Sequence, residues 1–498
     1  MKKTALLFLT ALIYASIAYS ETEYYALMLD GKKIGYCQND RILDDGIVTT
    51  TEKMDMTLGR MGTSVKLTML DISVETASGR PISFESSMDS NMTKVRTVGK
   101  FMDNGKVEIT SEQMGTIQKK TVDCPKDALM VEGIRLLGIK KGLVEGMTYT
   151  SKMFVPHFQA TVDCEVKVGA KVMSDLFGRA LLLPEVNFTM NMPAASGEAE
   201  IETSTTCYVN KDFRALKSIT PMMGMKMVML ACDKEFAMSQ DSQVDFVDKM
   251  LLDSPTKLKH DGRVVKGRLI YTIKPIEGEK ISIPTGDNQR VQVQSDGTLL
   301  VTVDPLKPSA NVKFPYTGSD SEILKMLKPT MYLQSDDEKV VALAKQAIEG
   351  ITDAAKAAKA IEIFVGAYIS QKNLSVGYAS AAEVAISREG DCSEHAVLTS
   401  AMCRAVGIPS RIVVGLVYVE QFGNRKNIFG GHVWSQVYID GKWIGIDATG
   451  GFGAGHLELA TGTGEPSDFF AMTNTIGCFE ITKIKAPGIM GMLGNLFR

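Results

Sequence analysis

The chain has 498 residues, 45% of them hydrophobic and 23% charged, with 55 basic against 58 acidic side chains and a formal net charge of −3. At about 100–200 residues per domain, this length calls for several cores, and the composition is that of a folded protein. The charge balance excludes an overall basic field for nucleic acid, and a mean hydropathy of +0.02 excludes a multi-span membrane protein.

The chain opens Met1-Lys2-Lys3 and runs apolar from Ala5 to Tyr19, and Ala18-Tyr19-Ser20 offers a small-x-small exit. These are the parts of a secretory signal peptide, and the apolar run is shorter than the ~20 residues that span a bilayer. Residues 1–20 are therefore expected to be removed, giving an exported protein, periplasmic or extracellular, with no stable membrane span. Export permits disulfides among eight cysteines, Cys37, Cys124, Cys164, Cys207, Cys232, Cys392, Cys403 and Cys478. Over this length that is sparse, and spacing does not reveal connectivity.

From 21 to 250 the text is strand-like. Runs such as Val65-Lys66-Leu67-Thr68-Met69 alternate, and turn signals fall at Asp45-Gly46, Ser78-Gly79 and Asn104-Gly105. This predicts one or two antiparallel sheets, as a sandwich or a strongly curved half-barrel. Thr-Val-Asp-Cys occurs at 121–124 and again at 161–164, a weak sign of a repeat. Met222, Met223, Met225, Met227 and Met229 read as core filler, or else as a flexible apolar binding surface. Residues 251–330 read as a small β module or a structured linker. After Gln334 the period becomes helical, and Thr352 is placed to cap a helix whose Ile361, Phe364, Val365 and Tyr368 share one face. The expected fold class is multidomain, with a β-rich antiparallel N-terminal region followed by an α+β domain over 331–498.

The chemistry concentrates in that last stretch. Arg388-Glu389-Gly390-Asp391-Cys392-Ser393-Glu394-His395 opens a helix with an apolar stripe of Val397, Leu398, Ala401, Met402 and Ala405, ended by Gly407 and Pro409. Cys392 thus falls in the first turn, where free N–H groups and the helix dipole favour a thiolate. Further on, Gly431-His432-Val433-Trp434-Ser435-Gln436-Val437-Tyr438-Ile439 alternates as a strand, Asp440-Gly441 signals a hairpin, and Lys442-Trp443-Ile444-Gly445-Ile446-Asp447 returns. A two-residue loop pairs Ile439 with Lys442. Counting back sets Asp447 opposite Trp434 and diagonal to His432, about 7–8 Å apart by backbone, a gap that carboxylate and imidazole bridge. Cys392 as nucleophile, His432 as base and Asp447 as orienter compose a triad for acyl transfer. The backbone N–H of Cys392 is one candidate oxyanion donor, and the second is not readable. Trp434 and Trp443, the two tryptophans of the chain, flank the pair in this register and serve to exclude water or simply as hairpin core.

Gly390-Asp391-Cys392-Ser393-Glu394-His395-Ala396, the stretch Arg404 to Gly415, Gly431-His432-Val433-Trp434 and Trp443 to Thr449 together resemble the core of the transglutaminase-like superfamily. The resemblance covers about 378–450. It implies a papain-like α+β core in which Cys392, His432 and Asp447 perform acyl transfer on amides by cross-linking, peptide cleavage or deamidation. One departure is Ala448 before Thr449, where proline is common. The expected function is an exported cysteine-dependent acyl-transfer enzyme acting on proteins or peptides. Hydrolysis is favoured over amine transfer, since water abounds outside the cell and no amine site is evident. The alternatives are a non-catalytic transglutaminase-like envelope scaffold and an apolar-ligand carrier acting through the N-terminal β region.

Other polar residues near these motifs have simpler readings. Asp391 and Glu394 suit a helix N-terminus electrostatically. His395 is read as structural, because no companion ligand motif supports a metal; no cofactor or metal is expected, and no compact calcium loop occurs. Cys403, about 16 Å along the helix from Cys392, is out of disulfide reach. Gly450-Gly451-Phe452-Gly453-Ala454-Gly455-His456 is expected to be a mobile loop beside the site rather than a phosphate cradle. Oligomeric state is left open.

Overall fold

The computed structural model describes residues 19–486 except 61–62, 91–92, 114, 193–200, 223–224, 243, 245–250, 262–263, 277–280, 373–378 and 465–474. Nearly all of the expected signal peptide, residues 1–18, lies outside this range. No helix among the described residues is long and apolar enough to cross a membrane.

The N-terminal region is one antiparallel sheet of fourteen strands, from β1 (Tyr19–Leu29) to β14 (Met225–Cys232). Strands β1 to β8 (Thr116–Asp123) form one meander and β9 (Thr148–Val155) to β14 a second. Pairing of β1 with β14 joins the two. Alternation explains the strands: in β7 (Lys106–Gln113), Val107, Ile109, Ser111 and Gln113 point inward while their neighbours face out. The Asp45-Gly46 signal is a two-residue turn between β2 (Lys32–Asp44) and β3 (Ile47–Arg60), with φ positive at both residues. The sheet curls on itself. Phe154 of β9, last in strand order, packs against Phe84 of β5 (Pro81–Ser90) and Phe101 of β6 (Thr93–Met102), with ring centroids 5.4 and 5.2 Å away. Between the meanders, α1 (Val131–Lys141) lies on β3 and β4 (Thr63–Thr76). Its N-terminus lacks a side-chain cap of its own, and buried Glu75 of β4 accepts the Glu132 and Gly133 N–H groups at 2.8 and 2.9 Å instead.

Met225, Met227 and Met229 join Tyr25, Leu27, Leu29 and Ile34 in a core cluster, where these three serve as core filler, while Met223 lies outside the described residues. The two Thr-Val-Asp-Cys copies have different surroundings: the first closes β8, which pairs with β7 alone, and the second lies in β10 (Ala160–Leu176) between β9 and β11 (Arg179–Met192). The eight cysteines are all free thiols.

The C-terminal part is layered. Its middle layer is a sheet ordered β15 (Leu252–Asp253), β20 (Arg425–Ile439), β19 (Ser410–Phe422), β22 (His456–Gly462), and β21 (Lys442–Ile446) also pairs with β20. Helices cover one face: α4 (Glu338–Ala347), α5 (Ala354–Tyr368), α6 (Ala381–Ser387) and α7 (Cys392–Ala405), burying Val397, Ala401 and Met402 against Ile412, Val414, Val433 and Val437. The other face meets a second sheet, β17 (Gln289–Val293), β18 (Leu299–Val303), β16 (Leu269–Pro275) and β23 (Phe479–Lys485), through Tyr271, Val301, Leu457 and Phe479. Burial on both faces accounts for the continuous apolar text of β19 and the full burial of β22. Short helices α2 (Lys234–Ala237) and α3 (Ser321–Lys325) lie in the connections.

One local expectation changes. The cap of α5 is Asp353, not Thr352: its carboxylate accepts the Lys356 N–H at 2.8 Å. The stretch 251–330 supplies β16, β17 and β18 to a small sheet that β23 completes some 200 residues later, and β15 to the sheet of β20. A β-rich antiparallel N-terminal region and a C-terminal α+β part thus make up the fold.

Candidate active site

Local sequence places the thiol. Asp391 caps α7, its carboxylate accepting the Ser393 N–H at 3.0 Å while Glu394 reaches back to the Asp391 N–H at 2.9 Å. This reciprocal box fixes Cys392 as the first helical residue. Gly390, before the cap, has φ +147°, and a Cβ there would lie 2.3 Å from the Cβ of Glu394, so only glycine fits the entry to the box.

Hairpin register places the other two. Ile439 pairs with Lys442 across Asp440 and Gly441, both at positive φ, and Ser435 faces Ile446, which sets Asp447 beside Trp434 and diagonal to His432 as expected. His432 Nε2 lies 3.0 Å from Asp447 Oδ2, both residues being buried. With Nε2 committed to Asp447, Nδ1 is left for Cys392, whose half-buried thiol lies close enough to the imidazole for each group to shift the other. All three residues come together.

The electrostatics refine the expectation for the thiol. Burial pushes the Cys392 thiol up and Asp391 adds to this, while His432 and the Val433 N–H pull it down without restoring its ordinary value. The helix N-terminus by itself favours a thiolate, whereas desolvation of the sulfur opposes one. Burial also opposes charge on His432, yet the Asp447 carboxylate, helped by Cys392, overcomes it and pushes the imidazole up to about 10. Against the cost of burial, His432 and His456 hold Asp447 well below the usual carboxylate range.

Three partners of Asp447 were not identified from sequence. Its Oδ1 accepts the Thr449 N–H at 2.8 Å and the Thr449 hydroxyl at 2.7 Å, a local turn that Asp-x-Thr spacing permits. Its own N–H donates to buried Glu362 of α5 at 3.0 Å. Its Oδ2 also meets His456 Nε2 at 3.2 Å. The glycine-rich stretch is therefore not a mobile loop. Ala454 and Gly455 are buried, Phe452 packs on Trp434 and His456, and His456 opens β22. The signal that could have found His456 is rarity, since the chain has five histidines.

His432, Asp447 and His456 each place a ligand atom within 4.8 Å of the others, a donor set that suits a divalent cation. The same atoms make the hydrogen bonds at 3.0 and 3.2 Å, so a cation and the hydrogen-bonded arrangement exclude each other.

Trp434 stacks on His432 with centroids 6.0 Å apart and is almost fully buried. Trp443 does not flank the pair: it lies under the Arg411 guanidinium at 4.4 Å and against Tyr438. His395 binds the Asp391 carbonyl through Nδ1 at 2.5 Å, its pKa lowered by burial, as a structural residue does.

A half-buried cysteine at a helix N-terminus, set against a His–Asp pair on an adjoining sheet, has the layout of a papain-like thiol site. Residues 341–448 match the model of the transglutaminase-like superfamily, and the chain carries a transglutaminase-like domain in its C-terminal part. No curated protein matches the chain. Among solved structures, it is similar to a "Putative Cysteine Protease from Cytophaga hutchinsonii" at 20% identity, covering 45% of this chain and 85% of the other with a TM-score of 0.29. A "Beta-barrel-like Protein of Domain of Unknown Function" from Brucella abortus is 14% identical over 43% of this chain and 95% of the other, with a TM-score of 0.32. A "TGase" is 15% identical over 33% of this chain and 44% of the other, with a TM-score of 0.17. All three TM-scores lie below 0.5, and fold and chemistry rest on the chain's own residues.

Proposed function

We propose that this chain is an exported cysteine-dependent acyl-transfer enzyme acting on amide bonds of proteins or peptides. The observation that carries the reading is the 3.0 Å contact between buried His432 and Asp447, beside a cysteine at the first position of a helix. A buried ion pair of this kind is costly to maintain and serves poorly as mere packing.

In the first half-reaction the Cys392 sulfur, its proton passed to His432 Nδ1, attacks the carbonyl carbon. A C–S bond forms and the carbonyl electron pair moves to oxygen, which faces the Cys392 N–H at the open end of α7. His432 returns the proton to the amide nitrogen as the C–N bond breaks, leaving a thioester and a free amine. Water then attacks the thioester, giving a proton to His432. The C–S bond breaks, the acid departs and the thiol is restored. A primary amine in place of water gives transfer instead, and hydrolysis is the favoured outcome for a protein outside the cytoplasm. Asp447 holds the tautomer and balances the imidazolium throughout.

The test is turnover by the full chain and its Cys392→Ala variant on a panel of glutaminyl and unspecific peptide substrates, with circular dichroism to verify folding. Release of free acid that vanishes in the folded variant supports the hydrolase. Incorporation of a fluorescent amine would make it a transferase. Turnover surviving in Cys392→Ala would overturn the reading.

A further inference from the structure

We infer that His456 is a positioning residue of the Cys392 site: a second imidazole that locks the Asp447 carboxylate and, through it, the plane of His432. This rests on the reading of Cys392, His432 and Asp447 as a working triad.

The carboxylate has about four lone-pair sites. Four hydrogen bonds reach it, two from Thr449 on Oδ1 and one each from His432 and His456 on Oδ2. Held by Thr449 alone, Oδ2 would be free to pivot away from His432; His456 closes that motion from the far side. His456 is itself tightly fixed. Its backbone N–H donates to the Gly453 carbonyl at 3.1 Å, and its ring meets Trp434 edge-on at 5.1 Å and Phe452 at 4.9 Å.

The His432 and His456 rings are 5.6 Å apart around one carboxylate. His456 Nε2 faces Asp447 Oδ2 at 3.2 Å, while Nδ1 lies 3.3 Å from the Gly453 nitrogen and 3.2 Å from the Gly453 carbonyl oxygen, so the Gly453 peptide fixes the far edge of the ring. Packing alone does not account for the residue. A phenyl ring would fill the gap between Trp434 and Phe452 without the cost of burying two ring nitrogens.

The proposal is tested with His456→Phe, which keeps the ring and removes the donor, and His456→Gln, which restores an N–H donor at similar reach. Cys392 alkylation by iodoacetamide is followed against pH in the full chain, with per-cysteine mass spectrometry as the readout. Loss of the donor loosens the Asp447–His432 pair and destabilises the thiolate–imidazolium state. The profile of His456→Phe is expected to move up by about one pH unit, which is about tenfold slower reaction at neutral pH. His456→Gln should recover most of that loss. An unshifted profile in folded His456→Phe, or a Gln variant as slow as Phe, overturns the positioning role. His432→Ala in the same series separates the two readings: if it leaves Cys392 alkylation unchanged, the triad itself fails. Should His456→Phe not fold, imidazole 15N shifts of the wild-type protein decide. A proton on His456 Nε2 is expected, and an Nε2 without a proton overturns the inference.

Discussion

Asp447 gathers more of the site than its two oxygens suggest: two histidines, a threonine and a glutamate-bound amide converge on it. At this scale pH is the most direct probe. His432 at about 10 lies above an ordinary histidine near 6.5, and Glu394, pushed by burial to about 8, lies above an ordinary glutamate near 4.3. A group whose pKa rises on folding stabilises the protein fully below its unfolded value and loses that contribution as pH climbs through the folded one. Glu394 therefore predicts stability declining from about pH 4.3 to 8, and His432 from about pH 6.5 to 10. Melting curves across this range should show Tm falling with pH, and His432→Gln should flatten the decline. A Tm insensitive to pH, or an unchanged slope in the variant, would contradict the assignment.

Among the elements, α7 is positioned by a few residues at its start. The Asp391–Glu394 box and the glycine before it are local features, visible in the order Gly-Asp-Cys-Ser-Glu. Asp391→Ala is expected to act in opposite directions on two measurements. Loss of the cap costs about 1 kcal/mol of stability, seen as a lower urea midpoint. Loss of its carboxylate also removes one of the groups that raise the Cys392 thiol, so alkylation of Cys392 near neutral pH should quicken. Unchanged stability would mean that Ser393 and Glu394 hold the helix end without the cap. Slower alkylation would mean that the cap serves to aim the thiol. The β20–β21 hairpin is equally local in origin, since a two-residue turn with positive φ at both positions sets the diagonal that joins His432 to Asp447.

Across the whole molecule, the segments before and after the helical layer support that hairpin. Asp287 accepts the Trp443 N–H and Asn288 donates to its carbonyl, each at 2.9 Å, covering the free edge of β21. A buried chain from Arg411 through Gln436 to Glu458 and Gln289 ties the two sheets together. The sheet of Gln289 is in turn closed by β23, where Phe479 is fully buried. Phe479→Ala is expected to cost about 3–5 kcal/mol by denaturant titration. A cost under 1 kcal/mol would mean that this sheet is dispensable to the layer that carries His432 and Asp447. On the opposite side, Gln113 of the N-terminal sheet donates to Glu383 of α6 at 3.1 Å, linking the two halves of the chain.

The placement of Cys392, His432 and Asp447 and much of the architecture follow from short-range rules, which is why they were legible before the structure. Helix capping placed Cys392, hairpin register paired His432 with Asp447, and strand alternation marked the N-terminal sheet. What the sequence did not reveal depends on returns of the chain from far away. Thr449 lay within reach of local reasoning, but His456 acquires its role because β22 pairs with β19, Val417 facing His456, and carries the ring back to Asp447. Glu362 reaches the same carboxylate residue from a helix 85 residues earlier. The upward push on the Cys392 thiol is likewise tertiary. A helix N-terminus is local and favours charge, whereas desolvation depends on which layers close over the sulfur, and only the folded packing decides which of the two prevails.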